Sequence, residues 1–368
     1  MEKEKRMANY ELLRIVAMLM VVCLHYLTHA DVLTVPGSSS DGVRVLGDIL
    51  ESLCIVSVNV YVLISGYFLS GSHFRIGRLF DLLCRILFYT LLIPAAVALL
   101  GIPLMGGQNI WKAWFYFLPV SMEHYWFVTA YFFMVLLSPF LNAGLSALTK
   151  HQLQILLLCL LFFTCFLPSL SPVRLTDDQA GYGTVWFLVL YLTGGYIRRY
   201  GLPVPAAPGK AAAGYFACAG GTWGLALLLQ RVTETSGSLL YYSQVPFHYD
   251  FVLGYAGAIC LFSLFGCLQV PEGRGAELVR RIAPLTFGVY LIHENIDIRD
   301  RWLPSLTKLY GPVPRSGWML LHMAACVLTV FACCLFADWI RSVIFDRAGQ
   351  LLAGTRFAAR LRRMDGGK

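Results

Sequence analysis

Residues 153–170 read LQILLLCLLFFTCFLPSL, a run without one charged side chain. A helix that crosses the hydrocarbon of a bilayer needs roughly 20 such residues, more than a buried strand or core helix requires. The apolar side chains continue all the way round the helix, which suits a surface bathed in lipid. Working outward from this stretch, similar runs occupy 10–29, 48–70, 82–102, 124–145, 185–198, 212–230, 250–268, 284–298 and 317–340. The sequence therefore predicts an all-α, polytopic integral membrane protein with about ten transmembrane helices. Composition agrees. The 368 residues are 58% apolar and 14% charged, against about half and about a quarter in a soluble domain. That balance excludes a disordered chain, a disulfide scaffold and most soluble enzymes. All 11 cysteines lie in apolar runs and none is spaced C-x-x-C. They read as buried thiols, with no disulfide or metal framework expected.

The net charge of +8 then becomes a question of sidedness. With the N-terminus inside, 20 of the 29 Lys and Arg fall on inward segments and 8 on outward ones, with Arg14 inside the first run. This asymmetry predicts a cell-membrane protein with both termini cytoplasmic. Half of the outward charges sit in the loop 299–316, the least typical part of this topology. The first run is too long for a cleavable signal, and no small-residue cleavage site follows it. Residues 1–345 read as one transmembrane unit and 346–368 as a basic cytoplasmic tail. The tail's RFAARLRR segment suits an anionic lipid surface. Without an accompanying nucleic-acid-binding fold it gives no reason to expect nucleic acid as a partner.

Polar residues inside the apolar runs carry the functional signal. The first run reads NYELLRIVAMLMVVCLHYLTHA over 9–30. Arg14 and His25 lie on one helix face, about 16 Å apart along the axis, with His29 one turn further. Glu11 lies one turn below Arg14 and can pair with it, or Arg14 can snorkel to the inner interface. His25 has no such escape. The second run carries Glu51, Ser57, Asn59, Tyr61 and Ser65, and should face the bundle interior. Toward the predicted outer ends of other runs come His124 and Trp126, Tyr182 and Trp186, and His293 with Glu294; Asp48 and Glu51 sit at the outer end of the second run. Trp and Tyr at such depths ordinarily form interfacial belts. Histidines and carboxylates gathered on one side point instead to an acid/base chamber, because a neutral imidazole can take a proton from a hydroxyl. Glu51 and Glu294 are the candidates to orient that imidazole. On the inner side, HFRIGRLFDLLCR holds Arg75, Arg78 and Arg85. These fit either the ordinary inward excess of positive charge or a dock for phosphate. Ser65-Gly66 offers a close backbone approach within the membrane. It lacks the G-x-S-x-G setting of a nucleophile.

Taken in order, these residues resemble the acyltransferase-3 family of membrane acyltransferases, which includes polysaccharide and lipopolysaccharide O-acetyltransferases. The likeness is carried by R-x10-H at Arg14 and His25, and by VYVLISGYFLSG around Ser65. It continues in R-x-x-R at Arg75 and Arg78 (with Arg85 an alternative), H-x-W-F from His124 to Phe127, and YLIHE around His293. The resemblance implies acetyl-CoA or a similar acyl-CoA as cytosolic co-substrate, with no tightly bound cofactor and no metal. It implies a hydroxyl of a cell-envelope carbohydrate as acceptor, and essential roles for Arg14 and His25. The acyl-CoA phosphates would then meet Arg75, Arg78 or Arg85. The pantetheine arm would pass Ser65 and Asn59. His25 would act as general base or receive the acyl group itself. His29, His124, Trp126, Tyr182 and Trp186 would face the acceptor. The extracytoplasmic esterase-like domain of longer family members is not read in this sequence, so transfer to the final acceptor is completed either by this chain or by a separate extracytoplasmic transferase partner. Two other classes fit a many-span chain with intramembrane charges. A secondary transporter would show inverted repeats and matching broken helices, a pairing not found here. A non-catalytic membrane sensor derived from the family would bind without turnover.

Overall fold

The structure, a computed structural model, describes residues 6–35, 41–105, 113–176, 178–202 and 207–365. Lys3, Lys5, Lys112 and Lys368, four of the charges that set the orientation, fall outside the described residues. Every regular element described is a helix. In chain order they are α1 (Ala8–His29), α2 (Gly42–Cys54), α3 (Ser57–Leu69), α4 (Ile76–Leu99), α5 (Trp114–Phe117), α6 (Trp126–Ala147), α7 (Lys150–Leu161), α8 (Leu167–Leu170) and α9 (Thr184–Tyr200). They continue with α10 (Pro208–Ser236), α11 (Val252–Cys267), α12 (Arg274–Ile282), α13 (Thr286–His293), α14 (Trp302–Tyr310), α15 (Met319–Leu352) and α16 (Arg356–Met364).

Eight stretches of the described residues are long and apolar enough to cross a membrane. They are α1, α2 with α3, α4, α6, α7 through α8, α10, the stretch ending in α11, and α15. The chain is a multi-pass membrane protein. The runs at 185–198 and 284–298 form shorter helices, α9 with 17 residues and α13 with 8. At 1.5 Å per residue, α13 rises only about 12 Å. It is almost wholly buried, and its chain turns away after His293. Helix α15 runs unbroken past 345 to Leu352.

Local chemistry explains where the helices start. Asp41 caps α2 by accepting from the amides of Val43 and Arg44, at 3.1 and 2.8 Å. Thr149 and Gln152 form a capping box that opens α7. The 153–170 stretch exposes Leu158, Phe162, Phe163 and Phe166 on its outer flank, as its all-round apolarity predicts. The polar second run behaves oppositely. Residues Ser57 to Gly66 of α3 are buried without interruption.

Helix α1 stands centrally and packs against α2, α3, α11, α12, α13 and α15. Helix α3 crosses α9 backbone to backbone. A Cβ added to Gly66 would stand 2.6 Å from the Tyr191 carbonyl oxygen, and one on Gly194 2.6 Å from that of Leu63. In a membrane, where apolar burial does not distinguish a helix from lipid, such small-residue crossings hold helices together. The Ser65-Gly66 approach is thus made to a neighbouring helix.

Candidate functional site

His25 projects from α1 toward the end of α13. Its Nδ1 lies 2.8 Å from Nε2 of His293 and 3.3 Å from Oε1 of Glu294. The other ring nitrogen of His293, Nδ1, lies 2.6 Å from the carbonyl oxygen of Val289. A carbonyl can only accept, so His293 donates from Nδ1 and presents the lone pair of Nε2. His25 therefore donates from Nδ1, and its Nε2 is left with a free lone pair. One chain of hydrogen bonds thus fixes the tautomer of both rings.

The segment after α13 holds this arrangement. Asn295 and Asp297 are fully buried. Asn295 donates to the Tyr125 hydroxyl at 2.9 Å, and that hydroxyl donates to the Leu291 carbonyl at 2.7 Å. Asp297 accepts from the Met105 amide and the Tyr116 hydroxyl, at 2.7 and 3.0 Å. Sequence reasoning missed both residues. The available signal was the polar cluster HENID at the close of an apolar run. A second missed set lies behind α13. Asp338 of α15 is paired twice with Arg341, at 2.6 and 2.9 Å, and accepts from Tyr89 at 2.8 Å. Its signal was a carboxylate within an apolar run.

His25 lines a narrow pocket of about 20 Å³ with Met18, Val58, Tyr61, Trp126, Phe127, Tyr249 and Tyr290. That is room for about one water molecule. Below it, toward the basic end, opens a cavity of about 420 Å³ lined by Arg6, Arg14, Ser65, Arg78, Asp81, Arg85 and Tyr131, among others. Tyr61 lines both spaces. Phe127 of the pocket stacks on Tyr131 of the cavity, ring centres 5.6 Å apart. Tyr61 and the stacked pair Phe127 and Tyr131 thus stand between the arginines and the imidazole.

Each residue singled out in the sequence has a definite place. Arg14, Ser65, Arg78 and Arg85 come together on this basic cavity. Arg14 pairs with Glu11 at 3.0 Å, the local partner the sequence offered. Arg85 donates to the Pro284 carbonyl at 3.3 Å, at the start of the segment leading into α13. Arg75 is exposed just before α4 and does not line the cavity; Arg78 and Arg85 do. Ser65 donates to the Tyr61 carbonyl at 3.0 Å. Asn59 does not line a passage. It is fully buried, donating to the Tyr249 carbonyl at 2.7 Å and accepting from the Trp186 indole at 2.9 Å. Trp186 is correspondingly 3% exposed and lines neither of these two spaces. Both are braces beneath Tyr249, because a buried amide and indole must find partners. Glu51 is not beside His25; it lines a separate cavity at the opposite end, with Tyr182. His29 lies 3.8 Å from Asp300 and edge-on to Trp302. His124 is buried, with Nδ1 3.0 Å from the Phe115 carbonyl, and lines neither space.

The arrangement is an imidazole with a free lone pair in an aromatic pocket, next to a cationic cavity that shares Tyr61 with it. A family model described as an acyltransferase domain matches residues 7–338. The chain belongs to the acyltransferase-3 family. The match spans both α1 and α13, and so includes every residue of the His25–His293–Glu294 cluster. Comparison with curated proteins and with solved structures gave no match. Membership supports acyl transfer within a membrane and leaves the two substrates to be argued from the cavities.

Proposed function

We propose that this family member moves a short acyl group from acyl-CoA, bound at the basic and cytosolic end, to a hydroxyl of an envelope carbohydrate. The observation that carries the reading is the free Nε2 of His25 in a pocket that shares Tyr61 with a cavity holding Arg14, Arg78 and Arg85. Guanidinium groups match phosphate oxygens in pairs, and the CoA portion of the co-substrate is rich in phosphate. The thioester end, on its long arm, passes Tyr61 and reaches the His25 pocket. The acceptor approaches from the other end.

His25 acts as general base. As the acceptor oxygen attacks the thioester carbonyl carbon, its proton passes to Nε2 of His25. The C–S bond then breaks, and the leaving sulfur takes the proton back from the imidazolium. Overall the hydroxyl hydrogen and the acyl group exchange places, giving an ester and free CoA thiol. While His25 carries the positive charge, Glu294 lies opposite its Nδ1 and His293 accepts its proton in a hydrogen bond. That is the orienting role a carboxylate plays behind a catalytic histidine.

The experiment is release of CoA thiol from acetyl-CoA by the purified protein in proteoliposomes supplied with 4-nitrophenyl glucoside as the hydroxyl acceptor. The intact chain releases thiol; His25→Ala does not, while its melting temperature is retained. Thiol release by His25→Ala at the original rate overturns the assignment. Binding of acetyl-CoA by the intact chain without any release would place it among non-catalytic members.

A further inference from the structure

At the end opposite the arginines lies a cavity of about 340 Å³ whose wall includes Asp48, Glu51, Tyr182, Gln244 and His248. Among the described residues that line it there is no Lys or Arg. Asp48 is occupied, accepting from the Thr34 amide at 3.0 Å and its hydroxyl at 2.5 Å. Glu51 has no hydrogen-bond partner among the described residues, so its carboxyl faces the cavity uncommitted. A second space of about 550 Å³ adjoins it, sharing Tyr182, Gln244 and His248 and adding Glu123, Asp178 and one cation, Arg174. The inner cavity has the opposite character, with Arg6, Arg14, Arg78 and Arg85 against Asp81.

The outer cavity is also close to the chemistry. The Tyr182 ring centre lies 4.4 Å from that of Trp126 and 5.0 Å from that of Tyr249. Both of those rings line the His25 pocket. Tyr182 itself is 46% exposed, offering an aromatic face to whatever fills the cavity.

We propose that this cavity seats the acceptor, that the acceptor is a hydroxyl compound without negative charge, and that Glu51 selects it. The inference rests on the acyl-transfer reading above. In its ionised form a carboxyl receives O–H or N–H groups and opposes phosphate or carboxylate brought beside it, a like-charge juxtaposition that discriminates strongly between partners. The Tyr182 face suits the apolar C–H side of a sugar ring. An amino sugar or neutral sugar therefore fits, and a uronic acid does not.

The test uses the protein in detergent, where both ends are open, with labelled acetyl-CoA. The probes are 4-nitrophenyl glucosaminide, glucoside and glucuronide. The glucosaminide and glucoside should be acetylated at least about tenfold more efficiently than the glucuronide. Glu51→Gln should narrow that ratio by about tenfold without changing its melting temperature. Equal use of the glucuronide, an unmoved ratio in Glu51→Gln, or thiol release with transfer to none of the three overturns the inference.

A second measurement is independent of catalysis. A cysteine introduced by Gln244→Cys is treated with trimethylammonium-ethyl and sulfonato-ethyl methanethiosulfonates, with the parent chain as background. The cationic reagent should react faster, and Glu51→Gln should reduce its advantage. Faster reaction of the anionic reagent overturns charge selection at this cavity. If no thiol is released at all, the acyl-transfer reading fails, and the cysteine rates alone decide what the cavity admits.

Discussion

His25 is held through one ring nitrogen and free at the other, and that asymmetry sets what each neighbour contributes. His293 fixes the tautomer by presenting a lone pair to Nδ1. Its removal leaves His25 free to place its proton on either nitrogen, so the base is present but misdirected for part of the time. His293→Ala should lower turnover by about a hundredfold while the KM for acetyl-CoA stays near its original value. A steady-state titration of acetyl-CoA separates the two constants. Glu294→Gln keeps the shape and removes the charge that faces the imidazolium. It should also cut turnover, by about tenfold or more, again without a matching change in KM. An increase in KM alone for either variant would assign these residues to binding rather than proton transfer.

Between elements, the site depends on how α13 is seated. Gly288 lies against Asp338 so closely that a Cβ there would stand 2.1 Å from the carboxyl carbon. Asp338 cannot yield easily, being fully buried and bonded to both Arg341 and Tyr89. Gly288→Ala should therefore push α13 from α15 and abolish thiol release, whereas Gly220→Ala, with open space around it, should do neither. Asp338→Asn leaves the Arg341 guanidinium buried without its countercharge, and should cost about 3–5 kcal/mol of stability, read as a lower melting temperature in detergent. The sequence made much of this legible. Periodicity and apolar length placed α1, α3, α6 and α7, and marked α3 as interior. Spacing alone put Arg14 and His25 on one face of α1. Neighbour relations between distant helices were not legible, because a side chain's depth and face do not name what stands across from it. Asn59 and Trp186 show this. The sequence places each toward a ligand, yet each spends its polar group on the other and they brace Tyr249. Glu51 and Glu294 were equal candidates beside His25 until the turn after α13 brought only Glu294 there.

Across the whole molecule the two ends are electrically opposite, and His25 lies between them. Four arginines line one cavity, while the uncommitted carboxyl of Glu51 and the Thr34-bonded carboxylate of Asp48 line the other. On the proposed reading, such a division would attract the acyl-CoA at one cavity and oppose it at the other, favouring encounter from one end. The arginine end can be tested by changing the ligand and the protein together. Among the described residues the Arg78 guanidinium donates to Ser72, at 2.9 Å, and it lies exposed at the mouth of the cavity, so its loss should not disturb the fold. Arg78→Ala should raise the KM for acetyl-CoA by about tenfold through the loss of a charge-assisted contact with phosphate. The effect should shrink as salt is added, since an exposed charge is screened beyond about 10 Å at 0.1 M ionic strength. With acetyl-dephospho-CoA, which lacks the 3′-phosphate, the intact chain should bind more weakly. If Arg78 meets that phosphate, Arg78→Ala should then make little further difference. If it meets the pyrophosphate instead, the two losses should add. Equal KM values for the intact chain and Arg78→Ala with both thioesters would mean that the inner cavity's charge serves orientation in the membrane and not the recognition of CoA.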